Sequence, residues 1–281
     1  MARYQLPVAF AEELEDLGEF LADDYFPNGF VQPEVIARQN DITVSFNHYG
    51  NDFDGMLEHK AGRFHIYVNV RPNSTKSSPR CRFTLCHELG HFFIDEHRLA
   101  LKSGSTPTHK SKCDFLSDNP VEIQADFFAS SLILPRSRVT RLANKSGVGL
   151  EAILKIAEKF QSSVTASCIR YVSLELAESI VVKWDNSGVN WKRISPSVWQ
   201  KGYRSIVGSL TNLPEDSATS KAFNNLDPQT VFFSGATTAA TWIPSVSSSS
   251  NRRNLILNEH SMRLGRFGGV TVLTPNEGRF L

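Results

Sequence analysis

The chain has 281 residues, of which 41% are hydrophobic and 21% are charged, and its formal net charge is +1. This composition excludes a globally disordered chain, and the length suits two domains better than one. The nearly balanced charge also excludes a uniformly basic nucleic-acid-binding protein, so any basic surface must be local.

Further features of the sequence bear on the cellular compartment. No apolar run reaches the roughly 18 residues that a transmembrane helix needs. Residues 1–12 lack the basic, apolar and small-residue order of a signal peptide. The four cysteines are too few for a disulfide scaffold. We therefore expect a cytoplasmic protein in a reducing compartment, without membrane contact.

Apolar periodicity and turn residues predict an α+β first half. The predicted helices cover residues 8–24, 32–38, 82–96 and 120–134, and the predicted strands cover residues 42–46, 55–60 and 63–70. Asp118 or Asn119 is the expected N-cap of the last helix, because Pro120 suits a first helical turn. We expect a loop over residues 98–118 and two or three short helices over residues 137–174.

The second half has a different pattern of apolar residues, which predicts short strands and shows little helical periodicity. Strands are predicted at residues 180–184, 231–233 and 270–273, and residues 245–253 read as a mobile serine-rich loop. These changes place a domain boundary between residues 175 and 176, giving domains of residues 1–175 and 176–281.

The segment His87-Glu88-Leu89-Gly90-His91 has the clearest chemical content. Its two histidines are four residues apart, so in a helix they lie on one face with about 6 Å of rise between them. Two imidazoles at that spacing can share a zinc ion. Glu88 is then placed to accept the proton of a water molecule and pass it to a leaving amine.

The residues around this motif favour burial of the helix. The neighbouring positions Thr84, Leu85, Cys86 and Phe92 are uncharged. Gly90 is a poor helix residue, so we expect a strand or a substrate to pack closely against it. The alternative is a buried helix with two incidental histidines.

A third zinc ligand is expected from the second motif, Glu122-Ile123-Gln124-Ala125-Asp126. Glu122 and Asp126 are four residues apart and share a helical face. We assign Glu122 to zinc, and we expect Asp126 to hydrogen-bond the outer nitrogen of a ligating histidine. The alternative is that both are solvated acids.

Both motifs, together with Leu132-Ile133-Leu134-Pro135, closely resemble the ImmA/IrrE family of bacterial metallopeptidases in order and spacing. The resemblance covers roughly residues 8–174. The chain is also similar to the CapP type of this family, which is found beside CBASS immune operons.

The resemblance implies a gluzincin-like minimal peptidase fold: a small sheet, two ligand-bearing helices and a helix-turn-helix-like segment at about residues 137–174. It implies that His87, His91 and Glu122 bind zinc and that Glu88 is the general base. It further implies a C-terminal α/β GAF-like sensory domain over residues 176–281. The implied substrate is a helix-turn-helix transcriptional repressor, whose cleavage switches on stress, mobile-element or anti-phage defence genes.

Other side chains between the two motifs are chemically capable of acting at a zinc site. Cys113 is a possible fourth, inhibitory ligand, because a thiolate binds zinc strongly and would occupy the position that water needs. The alternative is an ordinary, partly buried cysteine. His97 and His109 are candidates for stabilising an oxyanion, but either is equally a surface histidine, so neither receives a role.

A nucleic-acid surface is possible in the second half. Trp191, Lys192 and Arg193 join an aromatic ring to two cations, and Arg252 and Arg253 add charge. Exposed aromatic rings among basic side chains bind single strands by stacking and by phosphate contacts. Single-stranded DNA is therefore a candidate activator, whereas the alternative is that the tryptophans lie in a core and the charges on a solvated face.

The motifs thus favour a zinc endopeptidase, and the family resemblance implies that it cleaves a repressor. The alternative is a non-catalytic DNA-binding regulator with a structural zinc. Glu88 favours the first, because a purely structural zinc site needs no base.

Overall fold

A computed structural model describes residues 6–105, 108–112, 118–185, 187–225, 232–244 and 250–281. Contacts divide the chain into two units, each with one β-sheet in its described residues. The first unit comprises Met1–Val139 and Glu158–Ser163, and the second comprises Thr140–Ala157 and Val164–Leu281. This division groups residues 140–157 and 164–174 with residues 175–281. The domain boundary between residues 175 and 176 therefore stays a prediction from the sequence.

The first unit has a four-stranded sheet in the order β1-β3-β2-β4, in which β1 and β3 are parallel and the other pairs are antiparallel. Its strands are β1 (Thr43–Asn47), β2 (Gly55–Lys60), β3 (Arg63–Asn69) and β4 (Thr108–Ser111). Its helices are α1 (Val8–Tyr25), α2 (Pro33–Gln39), α3 (Pro79–Phe93), α4 (Asp95–Lys102) and α5 (Pro120–Ile133). α6 (Arg136–Ala143) and α7 (Leu150–Phe160) follow and cross the division between the units.

Local sequence explains where the two motif-bearing helices begin. The Ser78 side chain accepts a hydrogen bond from the Cys81 amide at the start of α3, and Pro79 occupies the first turn. Asn119 accepts one from the Val121 amide at the start of α5, so of the two predicted caps Asn119 is the one used.

α3 is buried on all sides from Cys81 to His91. It packs against β2 and β3 of the sheet and against α2, α4 and α5. A helix that is covered all round has no solvent-facing stripe, which explains why uncharged residues occur on every face and why the charged residues Arg82 and Glu88 are themselves buried.

The predicted helix over residues 82–96 and the predicted loop over residues 98–118 are both wrong in part. The backbone at Ile94 is extended, with a ψ of 112°, so α3 ends at Phe93 and α4 begins at Asp95. Neither glycine nor proline marks this break. The predicted loop contains the end of α4 and the whole of β4.

The second unit has a five-stranded antiparallel sheet in the order β6-β5-β9-β8-β7. Its strands are β5 (Ile180–Asp185), β6 (Gly188–Ile194), β7 (Phe233–Thr238), β8 (Ile256–Arg263) and β9 (Gly269–Pro275). Its helices are α8 (Val164–Ser173), α9 (Pro196–Gln200), α10 (Ala218–Asn224), α11 (Ala239–Trp242) and α12 (Ser250–Arg253).

The predictions for this unit are confirmed only for its most apolar strands. β5 and β9 lie where strands were predicted, whereas β6 and β8 were missed. Of the predicted strand 231–233, Val231 lies outside the described residues and β7 begins at Phe233. Residues 245–249 of the predicted loop also lie outside them, and residues 250–253 form α12 rather than a loop.

Trp184 and Trp242 are fully buried in the core of this unit, with their rings edge to face at a centroid distance of 5.9 Å. They pack with apolar side chains from β5, β8 and β9. No helix in the described part of the chain is long and apolar enough to cross a membrane.

Candidate metal centre

Three side chains from α3 and α5 meet in the first unit. His87, His91 and Glu122 each direct one potential ligand atom into a space where all three atoms lie within 4.8 Å of one another. The two histidine Nε2 atoms are 3.1 Å apart, and Glu122 places Oε2 3.4 Å from His87 and Oε1 3.5 Å from His91. All three residues are buried. The structure therefore brings together the three residues that the sequence assigned to zinc.

The close approach of α3 and α5 makes this meeting possible. A Cβ atom on Gly90 would lie 3.0 Å from Cδ1 of Phe128 and 3.2 Å from Cα of Ala125. A side chain there would hold α5 away from α3, since contacts of that length are tighter than ordinary van der Waals packing. The partner expected against Gly90 is therefore the second helix rather than a strand or a substrate.

The electrostatics of the cluster favour an anionic carboxylate beside a neutral imidazole. Burial opposes ionisation of Glu122, but hydrogen bonds from His109, His87 and His91 outweigh burial and lower its pKa. Burial lowers the pKa of His91 well below its usual value, against the opposing hydrogen bond to Glu122. Metal ions require ligands in these deprotonated forms.

Asp126 holds the outer side of one histidine. Nδ1 of His87 donates a hydrogen bond of 2.8 Å to Oδ1 of Asp126, which leaves Nε2 directed toward Glu122. This is the contact that the i, i+4 spacing of Glu122 and Asp126 led us to expect from the sequence.

Three further side chains around the cluster received no role from the sequence. His97 contacts Nδ1 of His91 and is in turn bonded to Gln124. His109 on β4 donates a hydrogen bond to Oε1 of Glu122, and its ring centroid lies 4.3 Å from that of His91. The break at Ile94 places His97 and the short strand β4 places His109, and neither element was predicted, whereas Gln124 lies on the predicted helix α5.

Glu88 lies beside the cluster but is not part of it. Its side chain is completely buried, and neither carboxylate oxygen has a hydrogen-bond partner among the described residues. Burial raises the pKa of Glu88 to about 7, although the neighbouring His87 opposes the shift. A buried carboxyl group without partners is costly, so its presence points to a functional rather than a structural use.

Gly55, the first residue of β2, forms the surface on which Glu88 rests. A Cβ atom at Gly55 would lie 2.3 Å from Oε1 of Glu88 and 2.7 Å from Cγ2 of Thr84. Ser111 is the antiparallel partner of Gly55 on β4. Its buried hydroxyl lies near enough to Glu88 to lower the pKa of that carboxyl group, although the two groups do not form a hydrogen bond of normal geometry. The backbone of β2 thus fixes how far Glu88 can move toward the sheet.

The cysteines within the described residues do not belong to the cluster of potential metal ligands. Cys81, Cys86 and Cys168 are buried as free thiols, and burial raises the pKa of Cys86 and Cys168 to about 12. Cys113, the possible inhibitory zinc ligand, lies outside the described residues, so its assignment stays a prediction.

The donor set fits a zinc ion. Two imidazoles and one carboxylate make up a common set of three protein ligands for catalytic zinc, which keeps a further position open. The orphaned carboxylate of Glu88 supports the same interpretation, because it offers a proton acceptor beside the three potential ligands. The cluster can therefore hold a metal ion.

The basic and aromatic residues singled out in the second half lie in the second unit. Arg193 stacks over the half-buried Trp191 at 5.5 Å, and Nζ of Lys192 donates a hydrogen bond to the carbonyl of Arg204. Arg252 lies over Tyr203 at 5.8 Å and donates to the Lys201 carbonyl, whereas Arg253 is exposed.

Comparison with known proteins adds a family and a fold. Residues 43–171 match the Peptidase_M78 family model, described as the IrrE N-terminal-like domain. A solved structure described as a Mycobacterium tuberculosis transcriptional regulator is similar in fold, with 12% sequence identity and a TM-score of 0.55. That similarity covers 94% of this chain and 76% of the other. No curated protein sequence matches the chain significantly.

Replacement of one cluster member tests the metal site. We expect Glu122→Gln to weaken zinc binding by more than the roughly 10- to 100-fold that loss of an outer partner costs, because it removes the only anionic donor of the three. Competition with a chromophoric chelator measures the affinity. Glu58→Gln, on β2, is the matched control; equal zinc affinity in Glu122→Gln and the control would exclude Glu122 as a ligand.

Proposed function

We propose that this chain, which belongs to the ImmA/IrrE family through its IrrE N-terminal-like domain at residues 43–171, is a zinc-dependent endopeptidase. The observation that carries the proposal is the carboxyl group of Glu88, buried without a partner beside His87, His91 and Glu122. A purely structural metal site has no use for such a group, whereas hydrolysis requires one.

Each residue of the centre has a distinct part in the proposed reaction. His87, His91 and Glu122 would hold the ion, and Asp126 would keep His87 oriented. A zinc ion bound there would supply Lewis acidity, polarising a peptide carbonyl and lowering the pKa of a water molecule.

Glu88 would move the proton. Its carboxylate accepts a proton from the attacking water and later delivers it to the nitrogen of the leaving amine. In the metal-free site burial raises the pKa of Glu88 to about 7, and a bound cation would lower it from there, which favours the carboxylate form that accepts the proton of water. Gly55 keeps the carboxylate from retreating toward the sheet.

The proposed substrate is a helix-turn-helix transcriptional repressor in the cytoplasm. Cleavage of such a repressor would release stress, mobile-element or anti-phage defence genes, as the likeness to the CapP type implies. The family match supports this proposal, and the similar solved structure is itself described as a transcriptional regulator.

Loss of the base is the direct test of the peptidase. We expect Glu88→Gln to cleave a helix-turn-helix repressor substrate about 100- to 10,000-fold more slowly than wild type, because it removes the general base. Zinc content should stay unchanged, since Glu88 is not among the three clustered donors. Electrophoresis of the repressor with time measures the rate.

Glu12→Gln, an exposed position on α1, should cleave like wild type. Cleavage by Glu88→Gln at the wild-type rate would contradict the assignment. If zinc-loaded wild type leaves the repressor intact under all activating conditions, the alternative of a DNA-binding regulator with a structural zinc is favoured.

A second variant tests the position of the base rather than its presence. In Gly55→Ala the new methyl group would overlap Oε1 of Glu88, so the carboxylate must shift. We expect a lower kcat with bound zinc retained, measured on the same repressor. Gly29→Ala, between α1 and α2, changes a glycine that has open space around it and no left-handed φ, and it is the control. An unchanged kcat in Gly55→Ala would show that its contact with Glu88 is unimportant.

We further propose that residues 176–281 form a GAF-like sensory domain that responds to single-stranded DNA. The antiparallel sheet described there, combined with helices, is compatible with that class of domain. The stacked pair of Trp191 and Arg193 on the edge strand β6 supports a nucleic-acid contact, because single strands bind by base stacking and phosphate neutralisation.

Oligonucleotide binding tests this sensor. We expect a labelled oligodeoxythymidine to bind with an affinity that falls as salt rises, and Trp191→Ala to bind about tenfold more weakly because one stacked base is lost. Fluorescence anisotropy measures both, with Lys60→Ala, an exposed position in the first unit, as the control. Absence of binding by wild type at low salt would remove single-stranded DNA as the activator.

A further inference from the structure

His91 is held on its outer side by a neutral chain of two side chains rather than by a carboxylate. Nδ1 of His91 lies 3.1 Å from Nδ1 of His97, and Nε2 of His97 lies 2.7 Å from Oε1 of Gln124. His91 and His97 are 1% and 8% exposed, so water has little access to the nitrogens between them. The two bonds therefore define a buried path from α3 through α4 to α5.

Hydrogen-bond chemistry gives this path a direction. The carbonyl oxygen of Gln124 can only accept, so the proton of His97 must sit on Nε2. Nδ1 of His97 is then an acceptor, and the matching donor is the Nδ1–H of His91. That arrangement leaves the Nε2 lone pair of His91 free, at the atom that faces His87 and Glu122.

The reverse direction would disable the ligand. If the amide group of Gln124 donated instead, His97 would carry its proton on Nδ1 and donate to His91. His91 would then be protonated on Nε2 and have no lone pair for a metal ion. One amide orientation is thus compatible with metal binding, and the other is not.

We propose that His97 and Gln124 are positioning residues that fix His91 in its metal-binding tautomer. This inference rests on the zinc site proposed above. α5 then serves both histidines: Asp126 orients His87 with a carboxylate, and Gln124 orients His91 through His97. The extended residue Ile94 lets His97 contact His91, because six residues along a continuous helix would separate them by about 9 Å and turn them to different faces.

The test combines the tautomer with the metal affinity. In metal-free wild type, two-dimensional ¹H–¹⁵N NMR of histidine-labelled protein should show His91 protonated on Nδ1 and His97 on Nε2. Gln124→Met removes the acceptor and should abolish the fixed tautomer of His97 while weakening zinc binding about 10- to 100-fold. Gln124→Glu keeps an acceptor and should keep both tautomers.

Controls separate this inference from folding and from the proposed function. Gln39→Met, at an exposed position of α2, should match wild type in both measurements. Circular dichroism should show Gln124→Met folded; if it is not, the tautomers of wild type and Gln124→Glu decide alone. His91 protonated on Nε2 in wild type, or unchanged zinc affinity in Gln124→Met, would overturn the inference. Failure of wild type to bind zinc would instead refute the metal site itself.

Discussion

The contact between α3 and α5 at Gly90 is the constraint on which the centre depends. Because Gly90 has no side chain, α5 comes close enough for Ala125 and Phe128 to pack against the α3 backbone. At that separation the carboxylate of Glu122 reaches both imidazoles that α3 presents. The same approach brings the two outer partners, Asp126 and the His97–Gln124 chain, within hydrogen-bond reach. A single backbone contact therefore supports the proposed ligands together with their orientation.

Much of this centre could be predicted from sequence because it depends on helical spacing. The i, i+4 pairs of α3 and α5 determine which side chains share a face, and both helices have recognisable starts at Ser78 and Asn119. His97 and His109 could not be predicted, because their positions depend on tertiary structure. The break at Ile94 has no local signal, and β4 is a strand of only four residues that exists through its pairing with β2.

The strands of the second unit show which parts of the fold could be predicted from the sequence and which could not. Its buried strands β5 and β9 are mostly apolar, interrupted only by residues such as Lys183 and Thr271, and they were predicted because such runs are readily recognised. β6 and β8 carry polar side chains on both faces, including the buried Glu259 and Ser261 of β8, so their sequences resemble loops. Trp184 and Trp242 fill the core, whereas Trp199 is 46% exposed, so a count of tryptophans alone does not locate a binding surface.

The coordination of zinc is the most direct test of the central claim that α3 and α5 together form a metal site. X-ray absorption spectroscopy of the protein loaded with one zinc ion should show two imidazole rings with nitrogen and oxygen ligands at about 2.0–2.2 Å. Loss of one imidazole contribution in His91→Ala would agree with the proposed ligands. A first shell dominated by sulfur, or a spectrum without imidazole scattering, would contradict the account.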